Sequence, residues 1–189
     1  MNTFLTVLTA GILTDNILLS KLLGFELLDN DISPLTITKR SGAITSFLIL
    51  STAVTYPLIN WVLLPLGIDY LSTLCSIIII CGILFGAFKL AKKFCTPISV
   101  FFERNQKLLT CSTVLLGVCL LNFENEYVTG YFSALLYSLS VGIGFLLVSI
   151  IMSAIHERLK SSDLPKCIQG LPITLLTASL LSLAFGGLA

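Results

Sequence analysis

The chain has 189 residues, of which 56% are hydrophobic and only 11% charged, and its mean hydropathy is +0.99. A water-soluble domain carries roughly 25% charged residues, so the chain reads as an all-α integral membrane protein with no room for a soluble catalytic domain. The formal charge of +1 comes from eleven basic and ten acidic residues, with no basic stripe interleaved with aromatics, and this excludes a nucleic-acid surface.

Six apolar segments approach the ~20 residues that a bilayer demands. They are residues 3–23, 42–64, 70–90, 108–122, 129–155 and 168–188, the fourth being short. The first has no Lys or Arg ahead of its apolar run, so it is expected to be a permanent span and not a cleaved signal. Pro34, Pro65, Pro97 and Pro165 each punctuate a connection, as a residue that interrupts helices should.

Orientation follows from the basic residues, which cytoplasmic loops retain. Lys39 and Arg40 fall between spans one and two. Lys92, Lys93, Arg104 and Lys107 fall between three and four, with Lys89 at the edge. Arg158, Lys160 and Lys166 fall between five and six, and Lys21 sits near the inner end of span one. The alternate loops carry none, so six spans place both termini on the periplasmic side.

Adding 93 to the numbering carries the second and third segments nearly onto the fifth and sixth. It also carries Leu22-Leu23-Gly24-Phe25-Glu26-Leu27-Leu28 onto Leu115-Leu116-Gly117-Val118-Cys119-Leu120-Leu121, so LLGxxLL recurs. One membrane domain, 1–189, is therefore expected to hold two repeats, about 1–95 and about 96–189. Three spans per repeat is an odd number, which makes the topology inverted. Such repeats place their site near the midplane on interrupted helices, here helices one and four.

Span one is broken by Asp15 and Asn16, then by Ser20 and Lys21, then by Gly24 and Glu26; span four is polar through Thr113 before Gly117. An ionisable group inside a span costs roughly 2.5 to 3.5 kcal/mol, so it faces a partner, water or a neighbouring protein. Asp15, Asn16, Lys21, Glu26 and Thr113 are the candidate midplane or ion-path residues, although Lys21 reaching for the cytoplasmic edge is an equally simple reading. His156 is the only histidine and reads as a helix terminus; the six cysteines form no CxxC pair and read as small hydrophobes. No nucleophilic triad or phosphate-cradling loop is recognisable, and the residues by themselves assign no catalytic, cofactor or metal ligand.

Several stretches together resemble a known family. They are Gly142-Ile143-Gly144-Phe145, Ile155-His156-Glu157-Arg158-Leu159, Asp163-Leu164-Pro165, Ile173-Thr174-Leu175-Leu176-Thr177-Ala178, and Asp15-Asn16 followed by Lys21-Leu22-Leu23-Gly24. The chain is similar to the A-type membrane subunits of the Rnf (Rsx) electron-transport complex, relatives of the E-type subunits of the sodium-pumping NADH:quinone reductase. The resemblance implies a multi-pass protein of a bacterial cytoplasmic (inner) membrane, working beside other Rnf-type subunits. It further implies pairing with an oppositely oriented homologous membrane subunit, the two sharing a [2Fe-2S] cluster. Two cysteines per partner would ligate that cluster, and at the family's cysteine positions this chain has Glu26 and Thr113. A membrane subunit of an ion-translocating oxidoreductase, coupling electron transfer to ion movement, is thus expected. The alternatives are a small inverted-repeat transporter or channel without a redox role, and a scaffold that anchors partners.

Overall fold

The computed structural model describes residues 16–24, 34–67, 71–94, 112–124, 130–160, 165 and 169–187. All regular structure among them is helical, with no strand, as a chain in hydrocarbon requires when every backbone group must be bonded within its own segment. The helices are α1 (Ile17–Ser20), α2 (Pro34–Leu58), α3 (Ser72–Phe94), α4 (Thr113–Glu124), α5 (Tyr131–Lys160) and α6 (Leu171–Gly186).

Among the described residues two stretches, Leu35–Leu63 and Tyr131–Leu159, are long and apolar enough to cross a membrane, each with 29 residues. Shorter apolar helices occupy Ser72–Ala87, Thr113–Asn122 and Leu171–Gly186. At 1.5 Å per residue, the 30 residues of α5 reach about 45 Å, whereas the 12 of α4 reach about 18 Å, well short of a hydrocarbon core of roughly 30 Å.

Helix boundaries depart from the sequence expectation where proline and charge were taken as breaks. Proline suits the first helical position because its missing N–H has no partner to lose there. Accordingly α2 begins at Pro34, and Lys39 and Arg40, expected in a connection, lie inside the helix with Arg40 buried. Pro65 stands within a last helical turn, Leu64–Leu66, which ends at Gly67 in the left-handed conformation. Span four is expected from residue 108; residues 108–111 lie outside the described residues, and the helix is described from Thr113.

Pro57 lies inside α2 without ending it. It has no N–H to give to the carbonyl four residues back, and the Tyr131 hydroxyl donates to that carbonyl, Ala53 O, at 3.3 Å. A π-helical turn over Ile59–Leu63 follows, with Asn60 Nδ2 donating to Tyr56 O at 3.4 Å. Tyr56 and Tyr131 stack at a tilt, 6.1 Å between ring centres. Tyr131, Trp61 and Phe132 are exposed at this end of the bundle, where amphipathic rings suit a membrane edge.

Helices α2 and α5 make the most extensive interhelical contact, and they run in opposite directions. Thr45 meets Gly142, Thr52 meets Ser138, and Ala53 meets Tyr131, so rising numbers in α2 face falling numbers in α5. Close approach is set by Gly142, where a Cβ would stand 2.5 Å from Thr45 Cγ2. Thr45 Oγ1 donates to both Ser41 O at 2.9 Å and Gly142 O at 3.2 Å. Thr45 and Ser138 are 93 apart, and each carries a hydroxyl across to the other helix. Small residues at the contact and hydroxyls as ties are the means by which helices associate where lipid removes the hydrophobic drive.

Other hydroxyls bond their own helix, as Ser41 does to Ile37 O and Ser76 to Ser72 O, which satisfies them without help from water. The core where α1 through α6 converge includes Ile17, Leu18 and Leu19 with Ile44, Leu48, Leu84, Val114, Val118, Tyr137, Val141, Phe145 and Ala178. Leu175, Leu176, Leu180 and Leu183 on α6 stay exposed, a face suited to lipid or a partner.

Candidate functional site

The site is the place where the first described segment breaks and α4 begins. Asn16, 1% exposed, opens the single turn of α1: its carbonyl accepts from Leu19 N at 3.0 Å, Ser20 N at 2.7 Å and Ser20 Oγ at 2.9 Å. The turn then stops. Lys21 N and Leu23 N both reach back to Ile17 O at 3.2 Å, with Leu22 between them at φ 54° and Gly24 at φ 94°. A left-handed leucine costs about 1 to 2 kcal/mol, and strain of this kind persists where surrounding structure imposes it.

The surroundings are α4, α5 and α6, against which α1 packs. Gly24 N–H donates to Thr113 Oγ1 at 3.1 Å. A Cβ on Gly24 would stand 2.6 Å from Val114 Cγ2 and 2.7 Å from Phe145 Cε2, and a Cβ on Gly117 would strike Leu23 Cδ1. The two LLG sequences therefore dock into each other: Leu23 of the first fills the notch left by Gly117 of the second. Glycine is favoured at 24 by conformation and by space, whereas a Cβ at 117 would displace the end of the Leu23 side chain.

Of the residues expected from sequence, Thr113 meets the segment that Asn16 opens only through Gly24, and Lys21 lies on that segment with its side chain exposed. Asp15 and Glu26 lie outside the described residues. Ser20, Lys21, Leu22 and Thr113 form an exposed, partly polar edge at the break. Ser112, directly before α4, is buried with its hydroxyl unbonded. The start of α4 also concentrates unbonded N–H groups and the positive end of the helix dipole.

The described residues of this junction do not by themselves fit a thiolate-held iron–sulfur cluster. Thr113 offers a neutral hydroxyl that already accepts the Gly24 N–H, and such clusters are held by cysteine thiolates. Cys119, two turns along α4, is buried and donates to Ser51 Oγ at 3.6 Å, while Cys75 and Cys81 are on α3. Among the described residues no three or more His, Cys, Asp or Glu side chains are grouped to hold a metal ion.

The sequence reading missed a second polar group, which joins α2, α4 and α5. Asn122 Nδ2 donates to Val118 O at 3.1 Å and Ser138 Oγ at 3.0 Å, and Ser138 Oγ lies 2.8 Å from Thr52 Oγ1 and 2.9 Å from Ala134 O. All three side chains are buried. The available signal was Asn122 in the last turn of an otherwise apolar helix, together with hydroxyls at 51, 52 and 55 on one side of α2.

Residues 4–189 match the family described as Rnf-Nqr subunit, membrane protein. The chain is 31% identical to the A-type component of the Na(+)-translocating ferredoxin:NAD(+) oxidoreductase complex of Acetobacterium woodii over 186 residues, covering 98% of this chain and 96% of that one. It is 32% identical over 190 residues to the A-type component of the ion-translocating oxidoreductase complex of Psychromonas ingrahamii, covering 99% and 97%. The component of the same name from Shigella flexneri serotype 5b is 31% identical over 188 residues, covering 99% and 96%. Matched over residues 4–189 by the family model and from end to end by its relatives, this chain belongs to the Rnf-Nqr family of membrane subunits.

Proposed function

We propose that this chain is the A-type membrane component of a multi-subunit, ion-translocating oxidoreductase of a bacterial cytoplasmic membrane, and that its own contribution is to line and shape an ion path. The carrying observation is full-length relatedness to components of ion-translocating oxidoreductases in a chain whose short, broken helices meet inside the bundle.

In this reading the domain is a 3+3 inverted repeat of six spans, with both termini periplasmic and the basic loops cytoplasmic. The antiparallel run of α2 and α5, and the contact of Leu23 and Gly24 with the Thr113–Gly117 turn of α4, support it. Ends of half-helices near the midplane give partial charges without ionised side chains, and the start of α4 is such an end. Asn16, Lys21 and Thr113 border the break, with Asp15 and Glu26 as flanking acids. The exposed edge at Ser20–Leu22 and Thr113 is the surface offered to an oppositely oriented homologous subunit. Among its described residues the junction offers no thiolate, and in this reading the chain positions and passes ions while electron relay is assigned to other subunits.

The test is purification from native membranes in mild detergent, with every co-purifying chain identified by mass spectrometry. Flavin- and ferredoxin-type subunits are expected together with a homologous membrane subunit; a chain purifying alone would replace this reading by that of a stand-alone transporter. A periplasm-restricted reporter should be active when fused after Ala189 and silent after Lys93, and the reverse pattern would overturn the orientation.

A further inference from the structure

The buried polar group between α2, α4 and α5 has an uneven supply of protons and lone pairs. Both N–H groups of Asn122 are spent, on Val118 O and Ser138 Oγ. The Ser138 proton is directed to Thr52 Oγ1 or Ala134 O, the Ser51 proton to Leu48 O at 3.0 Å, and the Cys119 thiol proton to Ser51 Oγ. What remains unsatisfied is the carbonyl oxygen of Asn122 and the Thr55 hydroxyl, whose single proton is free to turn and leave its lone pairs facing the group. Asn122 Oδ1 and Thr55 Oγ1 bond nothing, although their residues are 2% and 1% exposed.

These two atoms belong to one locality. Val114 and Phe145 flank Gly24 together, and Asn122 bonds Ser138, so α4 runs opposite to α5 and therefore alongside α2. Cys119 stands beside Ser51, Thr52 and Thr55. One turn beyond Ser51 on α2 is Thr55, and one turn beyond Cys119 on α4, in the same direction, is Asn122. Thr52 and Ser138 bridge α2 and α5 at that level. Asn122 also lies in the last turn of α4, where unbonded carbonyls and the negative end of the helix dipole favour a cation.

We propose that Thr55, Asn122, Thr52, Ser138 and Ser51 form a binding site for one monovalent cation of the size of sodium. Hard cations take oxygen ligands. A set of neutral oxygens, whose hydroxyl protons can turn away from an ion, suits a single positive charge, whereas a divalent ion calls for carboxylates. The site deepens the ion-translocating reading and rests on it for its physiological role, yet cation binding is measurable whether or not redox subunits are attached.

The experiment is 22Na+ equilibrium dialysis on the full-length protein as purified with its co-purifying subunits, at constant ionic strength with choline chloride as the replacement. The wild type should bind one more sodium per copy of this chain than Thr55→Val or Asn122→Leu, and in these variants affinity should fall at least tenfold while the subunit composition stays the same. Asn122→Asp, which adds a charge in place, should bind sodium more tightly than the wild type. Equal binding in wild type and all three variants would overturn the proposal and leave a buried water as the occupant. Normal binding by a chain that purifies alone would instead sink the redox-complex reading and keep the site.

Discussion

Two contacts, α2 with α5 and the Asn16–Gly24 segment with α4, each join stretches some 90 residues apart in the chain, with separations of 86, 89 and 97 between bonded residues, and they solve the same problem differently. In the α2/α5 pair, long continuous helices are tied by Thr45, Thr52, Ser138 and Tyr131, each of which bonds across the contact or to a carbonyl its neighbour cannot serve. In the α1/α4 pair, the helices are a single turn and 12 residues, and they are held by two glycines and one hydrogen bond. The long pair resembles a scaffold with many small ties. The short pair concentrates its constraint on a few atoms, and that is where backbone polar groups come free inside the bundle. Irregular backbone at membrane depth is tolerated where protein or a water-lined cavity covers it, and this contrast is the reason the proposed ion path is drawn at the break and not along the scaffold.

Single substitutions should separate the two pairs. The largest effect is expected from Gly24→Ala, which meets both a left-handed backbone and two side chains; a loss of about 3 kcal/mol or more is expected from strain and overpacking combined, read as collapse of thermal stability and of co-purifying subunits. Gly142→Ala drives Thr45 aside and should cost about 1 to 3 kcal/mol in thermal unfolding in detergent, without changing the rate at which a thiol reagent modifies Leu22→Cys. Thr113→Val keeps the volume but leaves the buried Gly24 N–H without its acceptor, a cost of about 1 to 2 kcal/mol; ion transport should fall more than stability does. The smallest effect is Tyr131→Phe, which removes the donor to Ala53 O and should cost about 0.6 kcal/mol, the usual worth of a hydrogen bond between membrane helices. If Tyr131→Phe and Gly24→Ala had equal effects, the contrast between the pairs would be wrong.

Much of this was legible in the sequence because hydropathy is a direct reading of the solvent. The apolar runs around 42–64 and 129–155 anticipated the two long helices, and LLG repeated at an offset of 93 marked both docking glycines. Local signals failed where context outweighs them. Pro34 and Pro65 read as breaks, yet one suits a helix start and the other a last turn. Pro57 went unremarked because its cost is met by Tyr131, far away in the chain and invisible to any local window. Lys39 and Arg40 read as a loop, but long cationic side chains extend from a helix end as readily. The Asn122–Ser138–Thr52 chain was missed because no spacing rule joins three helices. Asp15 and Glu26 lie outside the described residues, so their place beside the break rests on their positions in the sequence alone.

The most direct test of the joint between the two breaks is hydrogen exchange at the Gly24 amide, followed by mass spectrometry in detergent. The hydrogen bond to Thr113 predicts slow exchange in the wild type and exchange at least tenfold faster in Thr113→Val, with the middle of α2 unchanged in both. Equal exchange at Gly24 in the two proteins would contradict a junction closed by Thr113 and, with it, the meeting of the first and fourth helices on which the functional reading stands.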